Sequence, residues 1–344
     1  MRFAPTEQQE QFAFNIASIL EKECSVEALQ SAGEKSSGCV DGLWETLSET
    51  GLMGIGIPEE FGGLGMGASD LVFILEELGI SACAEPVAEH AAVASPLIAR
   101  WAQNEMAQEI LEEAANGSKK LTVGSPIDER VVSVESSDLI LISKENELHA
   151  VPTKEIEHTP MTSIDPRYKT SVIDWRPSSQ TLISETHEAI EDMTNRGALS
   201  AAAQAVGVAQ KLLDMTVSYV SERKQFGKPV GTNQAVKHHC SDMAIAIEFA
   251  RPLVQVASWA IDNQKSPTEN FTVSGEVSAA KALASEAVEL ACRSALQCHG
   301  AIGYTVEHDL QIWLKRGWIL ASTWGDALFH RRRLSKILGL TAEV

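Results

Sequence analysis

Three long segments of helical periodicity, joined by short connections, constrain this chain more than any other feature. Residues 198–223 are Ala-rich and amphipathic, and residues 234–261 and 274–298 repeat the pattern. Between the last two, Asn263-Gln264-Lys265-Ser266-Pro267-Thr268 has the chemistry of a loop. Helices this long, with so little chain between them, must fold back on one another, and their apolar stripes then merge into a common core. The spacing therefore predicts an antiparallel, four-helix-type bundle, with helical character beginning near Ala189.

Ahead of the bundle the period changes from helix to strand. Leu121-Thr122-Val123, Val131-Val132-Ser133-Val134, Leu139-Ile140-Leu141-Ile142, Leu148-His149-Ala150-Val151 and Ser171-Val172-Ile173 are short β-type runs separated by turn residues. They predict a small antiparallel sheet or barrel, followed by a polar linking segment over 176–186. Residues 1–117 read as helical. Thr6 is expected to cap a first helix carrying Phe12, Ile16, Ile19 and Leu20, and Asp41 a second over 42–50 that Gly51 ends. Gly54-Ile55-Gly56-Ile57-Pro58-Glu59-Glu60-Phe61-Gly62-Gly63-Leu64-Gly65 then leads to an apolar helix over 71–78. That glycine-rich loop reads as a phosphate cradle or as a helix–helix connector. It follows no strand, so it is not a dinucleotide fingerprint. The fold class is α+β, mainly α. We expect an N-terminal helical domain (1–117), a reduced middle β domain (118–186) and the bundle (187–344).

Charge and cysteine usage narrow the function classes. A formal charge of -19 leaves no basic face for nucleic acid. No apolar run approaches the ~20 residues that cross a bilayer, and the first residues lack the apolar stretch of a secretory signal. The six cysteines have no Cys-x-x-Cys spacing and read as reduced thiols of a cytoplasmic protein. His238 and His239 are adjacent, so on a helix they diverge by about 100°. His299, His308 and His330 also lack ligand spacing, and no metal is expected.

Two motifs in the bundle carry chemistry. The first is Arg223-Lys224-Gln225-Phe226-Gly227-Lys228-Pro229, followed by Gln234-Ala235-Val236; the second is Gln297-Cys298-His299-Gly300-Ala301-Ile302-Gly303-Tyr304. With the Gly54–Gly65 loop and the helical–β–helical order, they resemble the acyl-CoA dehydrogenase family over nearly the whole chain. The resemblance implies a flavoprotein that removes an α-proton and a β-hydride from a CoA thioester, a carboxylate taking the proton and FAD the hydride. It also implies that Arg223, Gln225, Phe226, Gln297, Gly300 and Ala301 reach across a subunit interface to FAD's pyrophosphate. A guanidinium fork suits phosphate, and glycine lets backbone approach closely. Ala301 stands where the family has a second glycine. An isolated Arg223 would read as a solvated helix end, and an isolated Gln297 as an interhelical hydrogen bond.

The same resemblance exposes what is missing. In one branch the base lies 27 residues after the glutamine, where this chain has Trp324. In another it lies about 26 residues before the arginine, which is Gly197, between Arg196 and Ala198. Neither residue accepts a proton. Asp326 is a displaced base or a helix cap, and Glu191 and Asp192 are misaligned bases or exposed carboxylates near a helix start. Arg331-Arg332-Arg333 touches an anionic ligand or is a solvated turn. The middle domain offers only Val123-Gly124-Ser125-Pro126-Ile127-Asp128 where the family has its flavin-ring segment. We therefore expect a non-catalytic subunit with a short middle domain. It resembles those in bacterial α2β2 acyl-CoA dehydrogenases of steroid side-chain catabolism. FAD would be shared with a catalytic partner, the acyl-CoA held mainly by that partner, and an electron-transfer flavoprotein would be the acceptor. The alternatives are a self-sufficient homo-oligomeric enzyme with a displaced carboxylate, or a scaffold that binds no flavin.

Overall fold

Thr6 sets the first element as expected. Its hydroxyl accepts from the Gln9 amide (3.3 Å) while the Gln9 side chain accepts from the Thr6 amide (2.8 Å), a reciprocal cap on the first helix. The structure, a computed structural model, describes residues 4–102, 105–269 and 271–340. Among these, the N-terminal part forms α1 (Glu7–Glu23), α2 (Val26–Glu34), α3 (Leu43–Ser48), α4 (Ala68–Ile80), α5 (Ser95–Trp101) and α6 (Glu105–Ala115). A π-helical stretch, Ala88–Ala94, runs directly into α5.

Asp41 does not cap. The residue entering α3 is Gly42 at φ 74°, and Asp41 instead pairs with Lys35 at 2.7 Å. A left-handed turn there is open to glycine, and it carries the aspartate away from the helix end. Helix α2, capped by Ser25, was not anticipated. The glycine-rich loop is a self-bonded connector. Leu64, Gly65 and Met66 donate back to the carbonyls of Gly54, Ile57 and Ile55.

The middle region holds β1 (Leu121–Val123), β2 (Arg130–Val132), β3 (Leu139–Lys144), β4 (Glu147–Pro152), β5 (Glu157–Met161), β6 (Thr170–Asp174) and β7 (Leu182–Ser184). They form two sheets, ordered β1-β3-β4-β7 and β2-β6-β5. The expectation of a purely antiparallel sheet is corrected, because β1 and β3 run parallel. Parallel neighbours need a crossover, and the chain supplies one by carrying β2 into the other sheet. The segment expected to be a polar linker also contains β7. Val131, Val134, Ile140, Val151 and Ile156 pack between the sheets, and the other side of the larger sheet joins the main core.

The bundle follows: α7 (His187–Glu222), the hairpin β8 (Lys224–Gln225) and β9 (Lys228–Pro229), then α8 (Gln234–Asn263), α9 (Val273–His299), α10 (Leu310–Ser322) and α11 (Ala327–Ile337). Helices α4 and α7 meet backbone to backbone. A Cβ on Gly79 would lie 2.1 Å from the Gln204 carbonyl oxygen, and one on Gly207 would lie 2.0 Å from that of Glu76. By length and composition α8 could span a membrane, with a mean hydropathy of 1.3, contrary to the reading of the apolar runs. One side of it (Met243, Ile247, Ala250, Val254) is buried in the bundle, while Ile245 and Phe249 stay exposed on the other.

Buried polar groups tie the layers together. Asp165, fully buried, accepts from Arg316 (2.8 Å) and pairs with Arg167 (2.7 Å). Burial would raise its pKa, but the guanidiniums of Arg316 and Arg167 outweigh that and lower it. Arg316 also donates to the Cys83 carbonyl (2.6 Å) and Arg167 to that of Ile312 (3.2 Å), which pins the β5–β6 loop to α10. His90 receives the Leu121 amide at Nδ1 (3.1 Å) and reaches the Ala114 carbonyl with Nε2 (3.2 Å), joining α6 to β1. Burial drives its pKa down to about 4.

Candidate functional site

Trp324 sits in the turn between α10 and α11, at φ 59° and followed by Gly325 at φ 96°. Its indole is buried, and it lies on Gly197 of α7. A Cβ at position 197 would fall 2.2 Å from ring atoms Cδ2 and Cε2 and 2.5 Å from Cε3. The two positions that the family resemblance marks for a glutamate are therefore one space. The indole fills it from one side, and only the absence of a side chain on the other admits the ring. Three buried groups hold the turn. His330 Nε2 donates to the Trp324 carbonyl (2.9 Å), while its Nδ1 lies 3.2 Å from the Ser278 hydroxyl. Lys281 Nζ donates to the Leu320 and Ala321 carbonyls (3.0 and 3.1 Å) and to Ser285 (2.7 Å). Burial lowers the His330 pKa to about 4 and the Lys281 pKa to about 7.

The nearby carboxylates hold structural posts. Asp326 caps α11 by accepting the Phe329 amide at 2.7 Å. Glu191 accepts from Ser274 (2.5 Å) and Arg333 (3.4 Å), and Arg333 also donates to Asn195 (2.9 Å). Asp192 accepts from Arg196 (2.9 Å) and the Trp101 indole (3.0 Å). Arg331 pairs with Glu286. Trp313 is buried and donates to the Ile80 carbonyl (2.8 Å), whereas Trp318 is partly exposed.

The two sequence motifs meet elsewhere, at the far ends of α7 and α9. Arg223 terminates α7 with its amide on the Tyr219 carbonyl (2.9 Å), and its own carbonyl accepts from Val230 (2.8 Å) to close the hairpin. At the end of α9, Gly300 takes φ 65°, with nothing within 4 Å of where a Cβ would stand. Arg223, Gln225, Gln297, Gly300 and Ala301 line one cleft of about 400 Å³. Among the described residues the Arg223 guanidinium has no protein partner. Phe226 lies outside the cleft wall. It occupies the hairpin tip at φ 52° with Gly227 at 79°, and its ring is fully exposed. A left-handed turn residue is ordinarily Asn, Asp or Gly, so an aromatic ring held in solvent there is unusual on two counts.

His299 also lines this cleft, a role that its lack of metal spacing concealed. It stacks on Tyr219 at 4.4 Å between ring centroids, and its buried Nε2 has no hydrogen-bond partner. A second cleft of about 250 Å³ lies between the sheets and α10, lined by Trp324, Glu89, Tyr168, Ser125, Asp128 and Arg130. Asp128 in the vestigial segment is occupied by Arg130, at 2.6 Å. Burial raises the pKa of Glu89, with the Arg316 charge opposing. Sequence reasoning missed Glu89; its signal was a Glu-His pair inside the apolar run from Val87 to Ala94.

Comparison with known proteins agrees with this architecture. Residues 6–118 match the family description "Acyl-CoA dehydrogenase, N-terminal domain" and residues 187–335 match "Acyl-CoA dehydrogenase, C-terminal domain". Acyl-CoA dehydrogenase IpdE2 of Mycolicibacterium smegmatis is 31% identical over 334 residues, covering 96% of this chain and 98% of that protein. Among solved structures, the ChsE4-ChsE5 complex from Mycobacterium tuberculosis aligns over 100% of both chains with a TM-score of 0.88 at 21% identity. A variant of the Tcur3481-Tcur3483 steroid ACAD aligns over 97% of this chain and 98% of that one, with a TM-score of 0.87 at 23% identity. At these identities the likeness to the two structures is one of fold.

Proposed function

The chain belongs to the acyl-CoA dehydrogenase family, and from that premise we propose that it is the non-catalytic subunit of a heteromeric acyl-CoA dehydrogenase. It grips the pyrophosphate of an FAD seated mainly in a partner subunit and supplies no base of its own. The observation that carries the reading is the indole of Trp324 lying on the bare backbone of Gly197. With that space filled, neither position offers a carboxylate, and an acyl chain has no room to present its α-carbon there.

The cleft at the opposite end fits the tail of a dinucleotide. It has a guanidinium without a protein partner, exposed Gln225 and Gln297 amides, an unobstructed glycine and a buried imidazole nitrogen awaiting a partner. Bound FAD would supply the hydride acceptor. This chain's residues would anchor its phosphates. Arg223 donates a planar fork, Gln225 and Gln297 donate from their amides, and Gly300 lets the backbone come near. The exposed ring of Phe226 would dock on the partner beside the cleft. Likeness to a steroid ACAD and to the ChsE4-ChsE5 complex supports a two-subunit enzyme acting on a steroid-type CoA thioester. The reading completes itself with an electron-transfer flavoprotein as acceptor.

Flavin absorbance and desaturation of a CoA thioester decide the matter. The chain expressed alone should be colourless and inactive. The tagged chain recovered from its own host, together with the subunit it carries, should be yellow and active. A chain that is yellow and active alone would refute the reading, and absence of flavin from both preparations would make the protein a scaffold. A self-sufficient enzyme would need a base other than Asp326 or Glu191, both of which are engaged. Glu89, whose carboxyl lies in the cleft beside Trp324, is the group it would have to use.

A further inference from the structure

His299 closes α9 and is buried. Its Nδ1 lies 2.7 Å from the Ala295 carbonyl oxygen. A carbonyl only accepts, so Nδ1 carries the hydrogen and the neutral ring presents a bare lone pair at Nε2. That atom is sequestered from water and has no partner among the described residues. The ring is fixed, stacked on Tyr219 at 4.4 Å and met edge-on by His308 at 5.1 Å. It lines the same cleft as Arg223, Gln225, Gln297 and Gly300. Buried polar atoms in folded proteins nearly always find a partner, and an orphan beside a cleft points to something that enters it.

We propose that His299 Nε2 is a ligand contact of this cleft and accepts a hydrogen bond from a sugar hydroxyl adjoining the pyrophosphate. The inference rests on the preceding reading, in which the cleft holds the FAD tail. Phosphate oxygens of a dinucleotide carry no hydrogen at neutral pH, so they can meet Nε2 only if the ring becomes imidazolium. Burial opposes that form, and so does the neighbouring His308, although the Ala295 carbonyl favours it. The other charged or titratable groups facing the ring and its cleft are Arg223 and Tyr219 of α7 and His239 of α8. A guanidinium there further disfavours a second positive charge. Hydroxyls are the donors nearest the phosphates on either side, belonging to ribose on the adenosine half and to ribityl on the flavin half. Arg223 therefore reads the charge and His299 the sugar.

The test uses the complex recovered from the host and stripped of flavin, with FAD, ADP, FMN and inorganic pyrophosphate as probes in calorimetry. His299→Phe keeps the stacking surface and removes the acceptor. It should weaken FAD about fivefold, weaken one of ADP (ribose) or FMN (ribityl) equally, and leave pyrophosphate unchanged. Arg223→Ala should weaken pyrophosphate and FAD together. Unchanged FAD affinity in His299→Phe, or equal losses for FAD and pyrophosphate, would overturn the sugar contact while leaving the cleft assignment intact. No effect of Arg223→Ala would overturn both. If His299→Phe fails to assemble, ¹⁵N spectra of the wild-type imidazole decide. A neutral Nδ1–H ring whose Nε2 resonance moves on adding FAD supports the contact, and an imidazolium or an unmoved resonance refutes it.

Discussion

The contact between Trp324 and Gly197 can be measured as a coupling energy. Gly197→Ala places a methyl 2.2 Å from two indole carbons, where carbon atoms normally rest about 3.5–4.0 Å apart. The ring would have to retreat by more than about 1 Å, and the core around it is closed. Overpacking of this kind costs about 1–3 kcal/mol. Trp324→Ala should cost about 3–5 kcal/mol by emptying the space. In that background the same Gly197→Ala change meets no ring. It then gains about 1 kcal/mol, the usual benefit of replacing a mid-helix glycine by alanine. The effect of one methyl should thus change sign, a coupling of about 2–4 kcal/mol. Urea unfolding of the wild type, both single variants and the double variant reads this directly. Additivity within about 0.5 kcal/mol would mean that the two residues do not meet, and the argument that the base positions share one blocked space would fall with it.

Four other outcomes follow from the geometry. Arg223→Lys in the assembled complex should lower FAD affinity by tenfold or more, about 1.5 kcal/mol, because an ammonium lacks the two-pronged fork; equilibrium dialysis checks it. Phe226→Asn should stabilise the chain by about 1 kcal/mol, since Asn tolerates the left-handed turn better. It should also weaken assembly with the partner in sedimentation, and a change of the same sign in both would count against a docking role. His330, at about 4 in the folded chain against an ordinary 6.5, stays neutral while the unfolded chain gains a proton. Its contribution is therefore present above pH 6.5 and lost as pH falls toward 4, by about 3 kcal/mol. The raised carboxyls Glu76, Glu85 and Glu89 act in the opposite direction, so the check is differential: His330→Gln should lose less stability between pH 7 and pH 5 than the wild type. Asp165→Asn, which strands two buried guanidiniums, should destabilise by about 3–5 kcal/mol in thermal or urea unfolding.

Much of the fold was legible because its signals are local. The reciprocal cap at Thr6, the short β runs and the long bundle helices each follow from residues within a few positions of one another. Misreadings arose where local chemistry had two solutions. Asp41 is a good cap residue, but Gly42 turned the chain first. The runs of β1 and β3 look like any other neighbouring strands, and only the excursion through β2 makes them parallel. Helix α8 looks apolar enough for a membrane because one of its faces is buried in the bundle while Ile245 and Phe249 remain exposed on the other.

The motifs that line the Arg223–Gln297 cleft, the order of the elements and the lack of a carboxylate at either expected position belong to the sequence alone. That the two missing carboxylates are one filled space, that His299 faces the cleft with an unclaimed lone pair, and that Glu89 lies beneath Trp324 were decided by tertiary structure. Residue spacing governs caps, turns and periodicity, because those forces act between chain neighbours. The meeting of an indole with a distant helix backbone depends on how α7, α10 and α11 pack, and no counting along the chain encodes that angle.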